Sequence, residues 1–353
     1  MRAKFAIFLV LLALVTPALA QGFAGLGSSA DGFSVPQKGT ALAFPRDHSP
    51  HPDFRIEWWY LTANLKAADG KEYGLQWTLF RSALAPLDQM GWQDPQLWMG
   101  HAAVTSEAEH HAAERLSRGG IGQAGVTLAP FAAAIDDWHM TSRAAPGTDE
   151  LSALDLAASG QGFSYDMRLA ATGPLVLQGE GGYSVKSAQG QASYYYSQPF
   201  YRIAGKLKLA SADIDVNGVA WLDHEWSSQP LGADQTGWDW FSFHFDTGEK
   251  LMGFRLRDAG DGFTSATWMS ADGHPEPQKP DALQLTPLET AEVAGHRVPI
   301  RWRVVLPTKH LDVTTTALNP AAWMDTQVSY WEGPVRIEGT HRGRGYVEMT
   351  GYR

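Results

Sequence analysis

The chain has 353 residues, a formal net charge of −10, 14 tryptophans and no cysteine. An acidic chain without a basic tract excludes the nucleic-acid-binding classes, which set Lys and Arg clusters against phosphates. The lack of cysteine excludes disulfides and thiolate metal centres, so stability must come from burial, and the length suffices for two ordinary domains.

Residues 1–20 read as a secretory leader: Arg2 and Lys4, an apolar run over 5–15, then Pro17 and the small-residue pattern Ala18-Leu19-Ala20. Cleavage is expected after Ala20, which places the protein in the periplasm or outside the cell. The run is shorter than the roughly 20 residues that span a bilayer. Residues 21–43, rich in Gly, Ser, Ala and Pro, read as an extended lead-in.

From Ile56 the pattern has period two. Ile56, Trp58, Tyr60 and Thr62 fall on one face of a strand and Glu57, Trp59, Leu61 and Ala63 on the other. Asp69-Gly70 supplies a turn, after which Tyr73, Leu75, Trp77 and Leu79 share a face. LWMGHAAVTS (97–106) reads as a further strand, with His101 on the face of Leu97 and Met99. Residues 107–118 (EAEHHAAERLSR) have the strongest helical composition in the chain. Short alternating runs broken by Gly, Pro, Asn and Asp then continue to the C-terminus. Asn217-Gly218 predicts a type I′ hairpin turn, and Thr247-Gly248 a second hairpin. Many short strands with almost no helix predict an all-β chain of antiparallel barrels or sandwiches, dividing in two near Gly190–Gly205.

Two stretches set acids among tryptophans. In DHEW, Trp221, Asp223 and Glu225 point one way and Leu222, His224 and Trp226 the other. Asp223 beside indole on a partly dry face would have a raised pKa and could deliver a proton near neutral pH. The structural alternative is a carboxylate paired with Arg255 or Arg257. In GWDWFSFHFD, Trp238, Trp240, Ser242 and His244 share one face. Asp239 lies in line with Phe241, Phe243 and Phe245, a costly place for a charge unless it is paired or protonated. Asp223, His224 and Asp239 are the candidate catalytic groups. Glu57, Trp58, Tyr60, Trp77, His101, Tyr195, Trp226, Trp238 and Trp240 are the candidate walls of a hydrophobic pocket, against the alternative that each ring is sheet core. The histidines lack HExxH spacing, and neither a GxSxG elbow nor a glycine-rich phosphate loop is present, so no metal or cofactor site is expected.

FPRDHSPHPDFRIEWWYLTANL, GLQWTLFR, ASYYYSQP, GVAWLDHEWSSQPL, GWDWFSFHFDTGEKLMGFRLR, SYWEGPVRIEGT and GYVEMTGY occur in order from about residue 44 to the end. With these strings the chain resembles the AttH/CrtC family: secreted, lipocalin-like proteins often labelled predicted hydrolases and related to the carotenoid 1,2-hydratases. The resemblance implies tandem lipocalin-like (calycin) barrels with a ligand pocket near their junction; with the break expected near Gly190–Gly205, they divide as 44–200 and 201–353. It further implies a lipid- or isoprenoid-like ligand and an association with an ABC-type permease. The hydratase-like His-x-Trp element matches His224 and Trp226, but a later Tyr-x-Asp counterpart is missing and Asp239 is the nearest stand-in. Three functions stay open: a non-catalytic carrier of a hydrophobic molecule, a cofactor-independent hydratase or isomerase, and an ester hydrolase.

Overall fold

The computed structural model describes residues 30–86, 91–210, 212–229 and 234–352; the expected leader lies outside them. Among the described residues the regular structure is antiparallel strand with a few 3-10 turns, and no helix is long and apolar enough to cross a membrane. Two sheets divide the chain. Thirteen strands from Ile56 to Ser227 curl into a near-barrel, and ten from Gly237 to Thr350 into a half-barrel, the tandem lipocalin-like arrangement.

The break between sheets thus falls between Ser227 and Gly237, whereas the sequence reading put it at 200/201. The strand Ala192–Leu209 runs through that point and pairs with Ala212–Ser227, which in turn pairs with Ile56–Ala67. The strand that crosses the expected boundary and the one after it both belong to the first sheet.

Two further expectations give way. Residues 110–118 form a strand, not a helix, because the run pairs along Gln96–Ser106, with His101 opposite Glu114 and Val104 opposite His111. Tertiary pairing overrides the helical preference of its Ala, Glu and Leu residues. Asn217-Gly218 is no turn: the strand passes through it, and the hairpin turns beside Ala210, whose φ is 52°. Gly218 serves a close approach instead, since a Cβ there would meet the Asn64 carbonyl oxygen at 2.0 Å. Gly70 and Gly248 do turn hairpins, with φ of 89° and 95°.

Alternation sorts the aromatic rings. Trp59, Leu61, Trp77, Leu222 and Trp226 fill the first barrel, and Phe241, Phe243, Trp302 and Trp331 the second sheet's core. The opposite faces of the same strands meet in a third cluster that includes Tyr60, Tyr195, Trp221, Trp240, Phe254 and Tyr346. Polar contacts fasten this junction: the Tyr60 hydroxyl donates to Glu332, Asn64 Nδ2 to the Gly345 carbonyl at 3.0 Å, and His101 Nδ1 bonds the Tyr330 hydroxyl at 2.9 Å.

Candidate functional site

A cavity of about 110 Å³, open to solvent, lies where the outer face of the first barrel meets the second sheet. Its apolar walls are Trp58, Tyr60, Trp238, Trp240, Phe254 and Leu256, and its polar groups include Asp223, Glu225, Glu348 and Lys186. Five strands deliver most of them by period two: Trp58 and Tyr60 from Ile56–Ala67, Asp223 and Glu225 from Ala212–Ser227, Trp238 and Trp240 from Gly237–Phe245, Phe254 and Leu256 from Lys250–Arg257, and Glu348 from Gly343–Thr350.

Asp223 is buried and accepts three hydrogen bonds. Trp221 Nε1 donates to Oδ1 at 2.6 Å and Ser197 Oγ to the same oxygen, while the Tyr195 hydroxyl donates to Oδ2 at 2.7 Å. A second layer orients these donors: Trp240 Nε1 reaches the Tyr195 oxygen at 3.2 Å and Gln178 Nε2 the Ser197 oxygen at 2.7 Å. Burial is the larger effect and outweighs these three donors, and the neighbouring Glu225 adds to it, so the Asp223 carboxyl is pushed up to about 7. Glu348 follows the same logic. Burial, against the Trp238 indole N–H at 2.6 Å, takes it up to about 7, with the charges of Glu225 and Asp223 adding to the rise. Glu332, fully buried behind Tyr60, is held well above the ordinary carboxyl range by burial and then by Glu348. Glu225 instead meets a cation, Lys186 Nζ at 2.7 Å, and accepts from Ser193.

The other face of the DHEW strand has a different character. His224 Nε2 and His51 Nδ1 both bond Glu57 Oε1, at 2.8 and 2.7 Å, and Arg81 Nε bonds Glu57 Oε2 at 2.8 Å. Burial alone would raise the Glu57 carboxyl, but Arg81, His51 and His224 outweigh it and hold it well below the usual range. Burial takes His224 down to about 4 despite Glu57, whereas His51, where Glu57 and Asp47 overcome burial, is raised. His51, Glu57 and His224 are the one set of donors among the described residues grouped closely enough to hold a metal ion, within 4.8 Å of one another. Every one of those donor atoms already has a hydrogen-bond partner, and the Arg81 guanidinium opposes a cation there. The set is a satisfied polar cluster.

The structure therefore brings together Asp223, Trp58, Tyr60, Trp238 and Trp240 at the cavity, with Tyr195 bonded to Asp223 behind it. Glu57 borders the cavity, but its carboxylate is spent on the inner cluster. His224 and Trp226 face the barrel interior, with the His51 ring stacked on Trp226 at 3.9 Å. Trp77 is core, and His101, bonded to Tyr330 and Glu114, lies at the junction outside the cavity. Asp239 is corrected from candidate acid to structural anion. It faces the second sheet's core, where Arg255 Nη2 pairs with it at 2.7 Å, Arg257 also contacts it, and the Tyr352 hydroxyl donates at 2.9 Å. Arg255 stands directly opposite Asp239 in the ladder, so the pairing considered for Asp223 belongs to Asp239.

Sequence reasoning missed Glu348, Glu332, Lys186 and Phe254. A signal for the two acids was present: each sits in an alternating aromatic run, YWEG and GYVEM, on the face of a tyrosine two residues earlier. Ser193, on the cavity wall, donates to Glu225, and Ser197, beyond it, to Asp223.

The family model described as AttH-like matches residues 35–352. A crystal structure assigned to AttH from Nitrosomonas europaea is 33% identical, covers 91% of this chain and 100% of its own, and superposes with a TM-score of 0.80. Kievitone hydratase from Nectria haematococca shares the fold at 16% identity and a TM-score of 0.68, over 90% of this chain and 95% of its own. CghA, solved with Sch210972, does so at 12% and 0.54, over 92% and 97%. No curated protein sequence matches the chain significantly.

Proposed function

The chain belongs to the AttH-like family, and from that premise we propose that it binds an apolar, lipid- or isoprenoid-like molecule at the sheet junction and moves a proton on it, in the manner of a cofactor-independent hydratase or isomerase. One observation carries the reading. A carboxyl has four lone-pair positions, and in Asp223 three are taken by Trp221, Ser197 and Tyr195. The remaining position, on Oδ2, belongs to a residue that borders an aromatic cavity, and the group titrates at about 7. A carboxyl raised this far can hold a proton near neutral pH, where proton donors and acceptors are most effective.

In this reading Asp223 gives its proton to one carbon of a C=C bond. The cation left on the other carbon is stabilised by the indole faces of Trp238 and Trp240. Water then adds to that carbon, and its proton returns to a carboxylate, Asp223 or Glu348, leaving net addition of water. Loss of a proton from a neighbouring carbon instead gives the isomer. The cavity takes the reacting end of the ligand, since about 110 Å³ falls short of the roughly 150 Å³ that accepts benzene in a dry core; the remainder extends through the open side. The hydratase among proteins of this fold makes water addition a reasonable class. Export, and exchange of the ligand with an ABC-type permease, belong to the same proposal. They rest on the leader at residues 1–20 and on the family resemblance.

A panel of isoprenoid and polyunsaturated lipids in D2O tests it. Wild-type protein should incorporate deuterium into a bound member of the panel. Asp223→Asn should abolish incorporation while tryptophan quenching still reports binding, and unchanged incorporation in that variant removes Asp223 as the acid. Carriage without chemistry, the second reading, is favoured by the apolar walls taken alone; it expects binding with no deuterium uptake even in wild type.

A further inference from the structure

The strands that carry the acidic cavity run on, and at their other ends the same two sheets enclose a cleft of about 260 Å³ with the opposite charge. Lys66 follows Trp58 and Tyr60 on the same strand face, Arg344 precedes Glu348, and His244 follows Trp238 and Trp240. Arg202 comes from Ala192–Leu209, and the backbone of Asn217–Val219 completes the first-sheet side.

Lys66, Arg202 and Arg344 line this cleft, and none of the three has an ion-pair partner among the described residues. Glu72, which shares the adjoining surface with Arg344 and stands opposite Lys66 in the ladder, is already paired with Arg336 at 2.6 Å. Lys250 lies alongside, its ammonium 3.9 Å from the Phe200 ring centre and bonded to the Gly248 carbonyl. One carboxylate, Asp246, borders the space. Cations crowded without counter-charges repel one another, and on a chain of net charge −10 there is no shortage of acids to pair them. The crowding is felt locally. Burial and then Lys250 and Arg344 push the His244 imidazole down to about 3, and burial and then Arg202 bring Lys250 down to about 8.

We propose that this cleft binds a phosphate-class oxyanion, held by Arg202 and Lys66 from the first sheet and Arg344 from the second. Three unpaired cations from three strands exceed what one carboxylate would neutralise, and arginine's planar fork suits tetrahedral oxyanions. The neutral His244 can add one N–H donor. The phosphate could be a free ion or a lipid headgroup; the chemistry of recognition is shared. The inference is independent of the proton-transfer reading.

The test uses the full chain and its Arg202→Ala/Arg344→Ala variant, both side chains being exposed, so the variant should fold with an unchanged or slightly raised Tm. Inorganic phosphate, titrated against sodium chloride at matched ionic strength, should raise the wild-type Tm saturably by roughly 2–4 °C. Apparent affinity should fall at least about tenfold in the variant, the cost of one charge-assisted contact. A parallel arm measures co-sedimentation with phosphatidylglycerol and phosphatidylcholine vesicles. Phosphate binding alone supports a soluble ligand, and phosphate plus phosphatidylglycerol binding, both lost in the variant, supports a headgroup. No phosphate response beyond chloride, or a response of either kind that persists in the variant, overturns the proposal.

Discussion

The two faces of one strand treat acids in opposite ways. Inward from DHEW, His224 meets a carboxylate, Glu57, that keeps its charge because an arginine and two imidazoles surround it. Outward, Asp223 has three neutral donors and no cation, and it stays protonated to about pH 7. Burial is similar on both sides, so burial does not decide whether an acid is structural or reactive. The sign of the neighbours does.

The largest effect should come from breaking the inner cluster. Glu57→Ala leaves Arg81 buried and unpaired and should cost about 3–5 kcal/mol in urea unfolding; a loss under about 1 kcal/mol would mean the cluster is not held by charge. Asp239→Asn, at the second paired anion, should cost roughly 2–4 kcal/mol and leave ligand binding intact, which separates it from Asp223.

The outer face should answer with a pH dependence of particular sign. The folded pKa of Asp223, about 7, exceeds its ordinary value of 3.8. Its stabilising contribution is therefore complete below about pH 4 and is lost as pH rises towards and through 7. Relative to Asp223→Asn, wild type should lose stability across that window, by up to a few kcal/mol. Thermal melts of the two proteins from pH 4 to 8 measure the difference, and parallel curves would place Asp223 among the ordinary ionised acids. Glu348→Gln should show the same sign over a narrower range, since Glu348 starts from 4.5.

Much of this contrast was legible in the sequence. Period two correctly assigned Trp221, Asp223 and Glu225 to one face and Leu222, His224 and Trp226 to the other, because a strand has no freedom to do otherwise. What the pattern could not reveal was partnership. Glu332 and Glu348 reach the junction from over 100 residues beyond Asp223, and no local rule links them. Asp239 looked as reactive as Asp223 because both sit beside aromatic residues. Only the ladder, which sets Arg255 opposite it, tells them apart. Gly218 shows the converse failure: the same dipeptide that turns a hairpin elsewhere here clears space for a carbonyl.

The pairing of Ile56–Ala67 with Ala212–Ser227 has a consequence for biosynthesis. The earlier strand must wait for a partner about 150 to 170 residues downstream before its second edge is covered, and contacts of such separation form slowly. Trp58 and Tyr60 lie on that waiting strand, while Glu348 follows them by about 290 residues. The chamber cannot close until Gly343–Thr350 has been made, so ligand capture must follow the synthesis of both sheets.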